Sequence, residues 1–174
     1  MPAVEGWETR QHQTEDGAVE SEQRISLRIG VVEFSEAGAD HLGRAYWREV
    51  ERTTRRFVRV RERQEAIELR MLGRGPSLLR LGAPRIEATP TLARCTYPIA
   101  GGWLAQRPAG EILFEQAGGP QSVLRSAIRG FFPRLAARRG HPDWTGALYN
   151  RVQSRIHVAV SRRYFARLIA ETAE

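Results

Sequence analysis

Residues 143–172 read DWTGALYNRVQSRIHVAVSRRYFARLIAET, and the reading of this stretch decides the fold. Leu148, Val152, Ile156, Ala159, Val160, Phe165, Leu168 and Ile169 recur at steps of three and four, so on a helix they share one face. Arg151, Ser154, Arg155, Arg162, Arg167 and Glu171 fall mostly on the other. Pro142 precedes the stretch, and Asp143 or Thr145 offers a side-chain oxygen to its first free N–H groups. No Gly or Pro follows Ala147. The pattern predicts one long amphipathic helix, and so wide an apolar face needs a sheet to lie against.

The residues upstream supply that sheet. Over 24–34, Ile25, Leu27, Ile29 and Val31 alternate with Arg24, Ser26, Arg28 and Gly30, which predicts a strand with one buried face. Residues 35–53 read as helical, with Leu42, Ala45, Tyr46, Glu49 and Val50 on one side. Ser35 or Asp40 can cap this segment. Gly38 and Gly43 divide it, and they favour a helix proper that starts at Asp40. From Phe57 the period falls to two: Val58 and Val60, then Ile67, Leu69 and Met71, form a hairpin. Further strands follow at Leu79 and Leu81 (continued by Ile86 past Pro84), at 92–99, at 111–116 and at 123–132. Gly73-Arg74-Gly75-Pro76, Pro108-Ala109-Gly110 and Gly118-Gly119-Pro120 turn the chain between them, and Gly101-Gly102 breaks or bulges a strand. A basic, Pro-containing connection over 133–142 leads to the final helix. Turns this short join antiparallel neighbours. The predicted class is α+β: a curved antiparallel β-sheet wrapped around a long C-terminal α-helix, with a short helical segment after the first strand. Residues 1–23, polar with Trp7 as their large apolar side chain, read as an arm, and 24–174 read as one domain.

Composition narrows the function classes. The chain has 174 residues, 41% of them apolar, and a net charge of +7. All 27 basic residues are arginine. Arginine in place of lysine throughout points to coding bias rather than to local selection for phosphate contacts. The densest cluster, Arg52, Arg55, Arg56, Arg59, Arg61 and Arg63, is diluted by Glu51, Glu62 and Glu65. The single Cys95 excludes an intrachain disulfide and a cysteine-paired zinc. No apolar run reaches membrane-spanning length, and the first residues resemble neither a signal nor a transit peptide. A cytoplasmic chain without a cofactor is expected.

The stretch Tyr97-Pro98-Ile99-Ala100-Gly101-Gly102-Trp103-Leu104 and the run Ile128-Arg129-Gly130-Phe131-Phe132-Pro133 resemble strand ends of the START-like (SRPBCC) superfamily. The element order over 25–169 is similar to the helix-grip fold of that superfamily: a first strand, a short helical insert, a strand meander and a long last helix. The resemblance implies a hydrophobic cavity for a lipid, isoprenoid, polyketide or other apolar molecule. Some members are cyclases or aromatases, and many only bind or carry a ligand. No catalytic pattern of the family falls on a position of this chain.

Five residues stand out as candidate ligand contacts. His157 lies mid-helix beside the apolar stripe, as either a cavity acid–base group or a hydrogen-bonded flank residue. Tyr97 and Trp103 flank the Gly101-Gly102 bend, where they would line a pocket mouth or pack a bulge. Trp47 sits on an aromatic helical stripe. Arg94, Arg125 and Arg129 lie on strands, and the last strand, which carries Arg125 and Arg129, has mixed parity, so Arg129 stays a candidate. If it faces inward, it is a buried cation that needs a carboxylate or an anionic ligand. Cys95 alternates with Tyr97 and Ile99 and reads as small and buried. His12, His41 and His141 show no metal-ligand spacing. The first expectation is therefore binding or transport of an apolar or amphipathic small molecule between sheet and helix, without a catalytic residue or metal. Nucleic-acid binding through residues 52–63 is the second. A protein-interaction module with a core filled by its own side chains is the third.

Overall fold

The computed structural model describes residues 5–63, 66–134 and 143–172, with backbone alone at Glu5 and over 143–156. In chain order it holds β1 (Glu5–Gln13), β2 (Val19–Leu27), α1 (Glu36–Thr53), β3 (Val58–Arg63), β4 (Ala66–Met71), β5 (Ser77–Leu81), β6 (Arg85–Thr89), β7 (Leu92–Gly101), β8 (Glu111–Ala117), β9 (Ser122–Phe131) and α2 (Asp143–Glu171). The described strands join one antiparallel sheet in the order β1-β2-β9-β8-β7-β5-β4-β3, and β6 pairs with β7 beside β5. The α+β class read from the sequence is the one observed, a sheet packed against a long last helix.

Strands β5 and β6 form one bent ribbon along β7. Leu81 sits opposite Ile99, and Arg85 sits opposite Thr96. The expected continuous strand is broken between them because Pro84 has no N–H to give a ladder. At the end of β7, Gly102 adopts φ +120°, and a Cβ there would lie 2.6 Å from the Leu78 carbonyl oxygen. Only glycine lets the chain pass so close beneath β5.

Residues 5–23 differ from expectation. The stretch read as an arm contains β1 and the start of β2, paired from Glu5↔Ser26 to Gln13↔Val19. Trp7 packs on Phe165 of α2, with ring centroids 5.3 Å apart. Thr9 and Gln11 share its strand parity, so no apolar alternation marks the strand, and backbone pairing alone defines it. Strand β2 also ends at Leu27 rather than at residue 34, and Ile29 is 73% exposed. Beyond it the backbone bonds to a side chain. Val31 and Val32 N–H donate to Gln116 Oε1 at 2.6 and 3.1 Å, and Gln116 Nε2 donates to the Val32 carbonyl at 2.7 Å.

Helix α1 is single and starts at Glu36, four residues before the expected Asp40. Ser35 caps it, accepting from Gly38 N–H at 3.1 Å. The glycines read as breakers are positions of close approach. A Cβ at position 38 would collide with the Glu33 carbonyl oxygen. One at position 43 would lie 2.6 Å from the Tyr97 hydroxyl and 2.8 Å from Cys95 Sγ. The missing Cβ at Gly43 lets α1 lie close on β7, and the one at Gly38 makes room for the chain that enters the helix.

In the part of α2 with described side chains, His157, Val160, Ser161, Tyr164, Phe165, Leu168 and Ile169 are buried. Ala159, placed on the apolar face from the sequence, is exposed, because the buried stripe is centred on Ser161 and Tyr164. Leu148, Val152 and Ile156, the capping role of Asp143 or Thr145, and the connection after Arg134 lie outside what is described. The two helices are tied by the buried Glu49 of α1, which accepts from Arg167 Nε at 3.3 Å. Tyr46, Trp47, Tyr97, Phe114, Tyr164 and Phe165 interlock beneath them, with centroid separations from 4.4 to 6.2 Å. Burying each ring contributes on the order of 2 kcal/mol or more, so this cluster anchors both helices.

Candidate functional site

Strand register sets what the helices cover. Thr9, Gln23, Ser126, Phe114 and Cys95 are successive cross-strand partners on β1, β2, β9, β8 and β7, forming one row on the inner face. Gln23 and Ser126 of this row are polar and buried. Ser161 of α2 lies over it, its hydroxyl 3.4 Å from that of Ser126. One turn earlier, His157 Nδ1 is 3.0 Å from the Tyr46 hydroxyl of α1. At the other end, the Thr9 hydroxyl donates to Gln23 Oε1 at 2.6 Å. A polar seam thus runs from Gln23 through Ser126 and Ser161 to Tyr46 and His157, inside an otherwise aromatic core.

Several atoms of this region are left without partners. His157 Nε2, Gln23 Nε2 and the Tyr164 hydroxyl are buried and make no hydrogen bond among the described residues. A buried polar atom left unpaired costs about 1–3 kcal/mol, so a partner atom supplied at any of the three would be stabilising. Burial lowers the His157 pKa to about 4. The imidazole is therefore neutral at pH 7. In the tautomer where the Tyr46 hydroxyl donates to Nδ1, the ring proton sits on Nε2, a donor without a partner among the described residues. Burial pushes the Tyr46 hydroxyl well up, opposed by a bond from Ser161, and it pushes Tyr164 up as well. The seam is a set of neutral hydrogen-bonding groups. An imidazole this weakly basic is a poor general base at neutral pH.

Of the sequence candidates, His157 belongs to this seam, and Tyr97 and Trp47 border it. Trp47 packs edge-on against Tyr97 at 5.3 Å and Phe114 at 5.8 Å, and both Trp47 and Tyr97 are core residues. Trp103 does not join them. It is 51% exposed, in a groove with Arg80, Arg107 and Arg134. Arg129 is exposed as well and lines a groove of about 340 Å3 across β1, β2 and β9. It is not the buried cation that an inward orientation would require.

Arg94 and Arg125 lie on the outer face, in a charge ladder. Glu87, Arg94, Glu115 and Arg125 are successive cross-strand partners. Arg94 reaches Glu87 at 2.9 Å and Glu115 at 2.6 Å, and Arg125 reaches Glu115 at 3.4 Å. Cys95 is fully buried, and burial pushes its thiol up to about 11, so it stays protonated and unreactive. Gln23, Ser126 and Ser161 escaped the sequence reading because small polar residues on a strand or helix carry no periodic signal. Among the described residues no group of three His, Cys, Asp or Glu could hold a metal, and none of the described helices is long and apolar enough to cross a membrane.

No family model matches the chain, and no curated protein does. Among solved structures, a crystal structure of Ara h 8.0201 aligns with 86% of this chain and 99% of its own, at 14% identity and a TM-score of 0.37. Nothing is transferred from one chain to the other at that degree of superposition.

Proposed function

We propose that the protein binds a small amphipathic molecule between the inner face of the sheet and α2, with a polar group of that molecule hydrogen-bonded at His157 Nε2. One observation carries this reading: the buried seam has donors and acceptors in place, yet His157 Nε2 and Gln23 Nε2 lack partners among the described residues. The direction of α2 supports the location. Its end lies near Val31, where the Thr172 hydroxyl is 3.4 Å from the Val31 carbonyl, and Ser161 lies over Ser126. Continued the same way, the helix runs toward the next inner row, where Ser21, Ile128 and Ile112 are cross-strand partners. The aromatic cluster would form the floor, His157 the polar anchor, and the two isoleucines an apolar wall.

The test is native mass spectrometry of the purified chain with organic extraction of whatever co-purifies. The expected result is a stoichiometric apolar molecule carrying a hydrogen-bond acceptor, which raises the melting temperature when added back. A chain that is empty and unshifted by fatty acids, sterols and polyketide-like aromatics would show a core filled by its own side chains, and the interaction-module reading would replace this one.

A second reading has its own observation. Arg61, Arg63, Arg70 and Arg74 gather with Glu68 around a groove of about 270 Å3 at the β3–β4 hairpin. This is where nucleic-acid phosphates would sit. Binding there would weaken steeply with added salt, which an electrophoretic shift at 50 and 200 mM salt would reveal.

A further inference from the structure

The groove at the end of β7 is lined unlike the rest of the outer surface. Ser77, Arg80, Trp103, Arg107 and Arg134 surround a cavity of about 480 Å3, with no carboxylate among the described residues of its lining. The size falls within the roughly 300–1,000 Å3 of small-molecule sites. Several arginines elsewhere on the sheet meet acids: Arg85 pairs with Glu111 at 2.7 Å, Arg70 with Glu68 at 3.0 Å and Arg94 with two glutamates. Arg80, Arg107 and Arg134 make no ion pair among the described residues. Asp16 lies within electrostatic reach of Arg107 but does not line the groove.

The groove is also held in shape. Trp103 N–H donates to the Ser77 carbonyl at 2.9 Å, which anchors the loop while the indole stays half exposed. The Arg107 guanidinium lies 3.6 Å from the centroid of the Phe132 ring, and Arg134 Nε donates to the Ala105 carbonyl at 3.4 Å. The bend that presents Trp103 depends on Gly102, where no side chain fits. Trp103 and three arginines therefore line one space. An open indole face favours a planar partner by stacking. Three guanidinium forks offer more donors than the two oxygens of a carboxylate can accept, and they match the three terminal oxygens of a phosphate monoester.

We propose that this groove is a second binding site, for a small planar aromatic ring that carries a phosphate monoester, with the ring on Trp103 and the phosphate among Arg80, Arg107 and Arg134. It lies on the outside of the sheet and is independent of any ligand under α2. The experiment titrates the full chain at low salt with phenyl phosphate, adenosine monophosphate and inorganic phosphate, read by tryptophan fluorescence and calorimetry. The expected result is saturable binding of both aromatic phosphates, with quenching, at least about tenfold tighter than inorganic phosphate. Trp103→Leu removes that advantage and the quenching. Arg80→Gln combined with Arg134→Gln weakens all three probes about tenfold or more, while circular dichroism stays unchanged because these side chains are exposed. Equal affinity for the three probes, indifference to Trp103→Leu, or no saturation by 10 mM phenyl phosphate (on the order of the weakest useful affinity) overturns the proposal. So does an oligoribonucleotide that binds far more tightly than adenosine monophosphate and is unaffected by Trp103→Leu, which would mark an extended nucleic-acid surface instead.

Discussion

His157 makes the stability of this fold depend on pH in a way that can be calculated. Burial holds its folded pKa at about 4, while the unfolded chain titrates near the ordinary value of 6.5. Between these values the unfolded state binds a proton that the folded state refuses. Stability is therefore full above pH 6.5 and falls as pH drops toward 4. The full difference is about 3 kcal/mol, and about 2 kcal/mol of it is lost between pH 7 and pH 5. Other groups titrate over this range, so the comparison is with His157→Gln, which keeps polarity near Tyr46 and removes the titration. Urea unfolding at pH 7, 6 and 5 gives the two slopes. The wild type should lose about 2 kcal/mol more than the variant, with the same dependence on urea. Parallel curves would refute the reasoning, as would an NMR titration placing the His157 ring near pH 6.5. Either result would mean that water or charge reaches the seam.

Three further substitutions test the packing. Gly43→Ala should lose about 1–2 kcal/mol in thermal or urea unfolding, even though alanine favours helix by about 1 kcal/mol, because the new methyl meets the buried Tyr97 and Cys95 side chains. Leu72→Gly should gain up to about 1 kcal/mol, since Leu72 holds φ +50° while 66% exposed and so gives up strain without losing a core contact. Glu115→Gln should cost about 1–2 kcal/mol, reduced at high salt, by leaving Arg94 and Arg125 facing each other across a neutral amide. A Glu115→Gln loss unchanged by salt would point to geometry rather than charge.

How much the sequence revealed depended on whether a feature was periodic. Val58 and Val60, Ile67 and Leu69, and Phe165 with Leu168 and Ile169 repeat at strand or helix spacing, and their elements stand where expected. Strand β1 was hidden because Thr9 and Gln11 sit on the inner parity at the polar end of a row, where hydrogen bonds replace apolar burial. Gly38 and Gly43 looked like breakers because propensity counts lost entropy and cannot see Tyr97 or Glu33 lying against the helix. His157 and Tyr97 were legible as residue types near an apolar stripe. Gln23, Ser126 and Ser161 were not, because they meet only through strand register and helix placement.

The same register explains why the arginines were ambiguous in sequence. Strand β9 carries Leu124, Ser126 and Ile128 on one parity and Arg125, Ala127 and Arg129 on the other. Its inner parity is half polar and its outer parity partly apolar, so alternation gives no sign. The partners do. Arg125 stands opposite Glu115 and Ser126 opposite Phe114, which puts the charges on the outer face and the small hydroxyl beneath α2. An inner face that includes Ser126 and Gln23 gains less from burial than an apolar one would, and the outer ladder offsets only part of the difference, since solvent reaches its arginines and desolvation of the buried Glu115 opposes its ion pairs. A polar seam under a helix thus lowers the stability of this fold while it stays unpartnered. Filling His157 Nε2 and Gln23 Nε2 from a bound molecule would restore that stability. On this reasoning, any ligand that enters the seam should raise the melting temperature of the wild type more than that of His157→Phe, in which the unpaired nitrogen no longer exists.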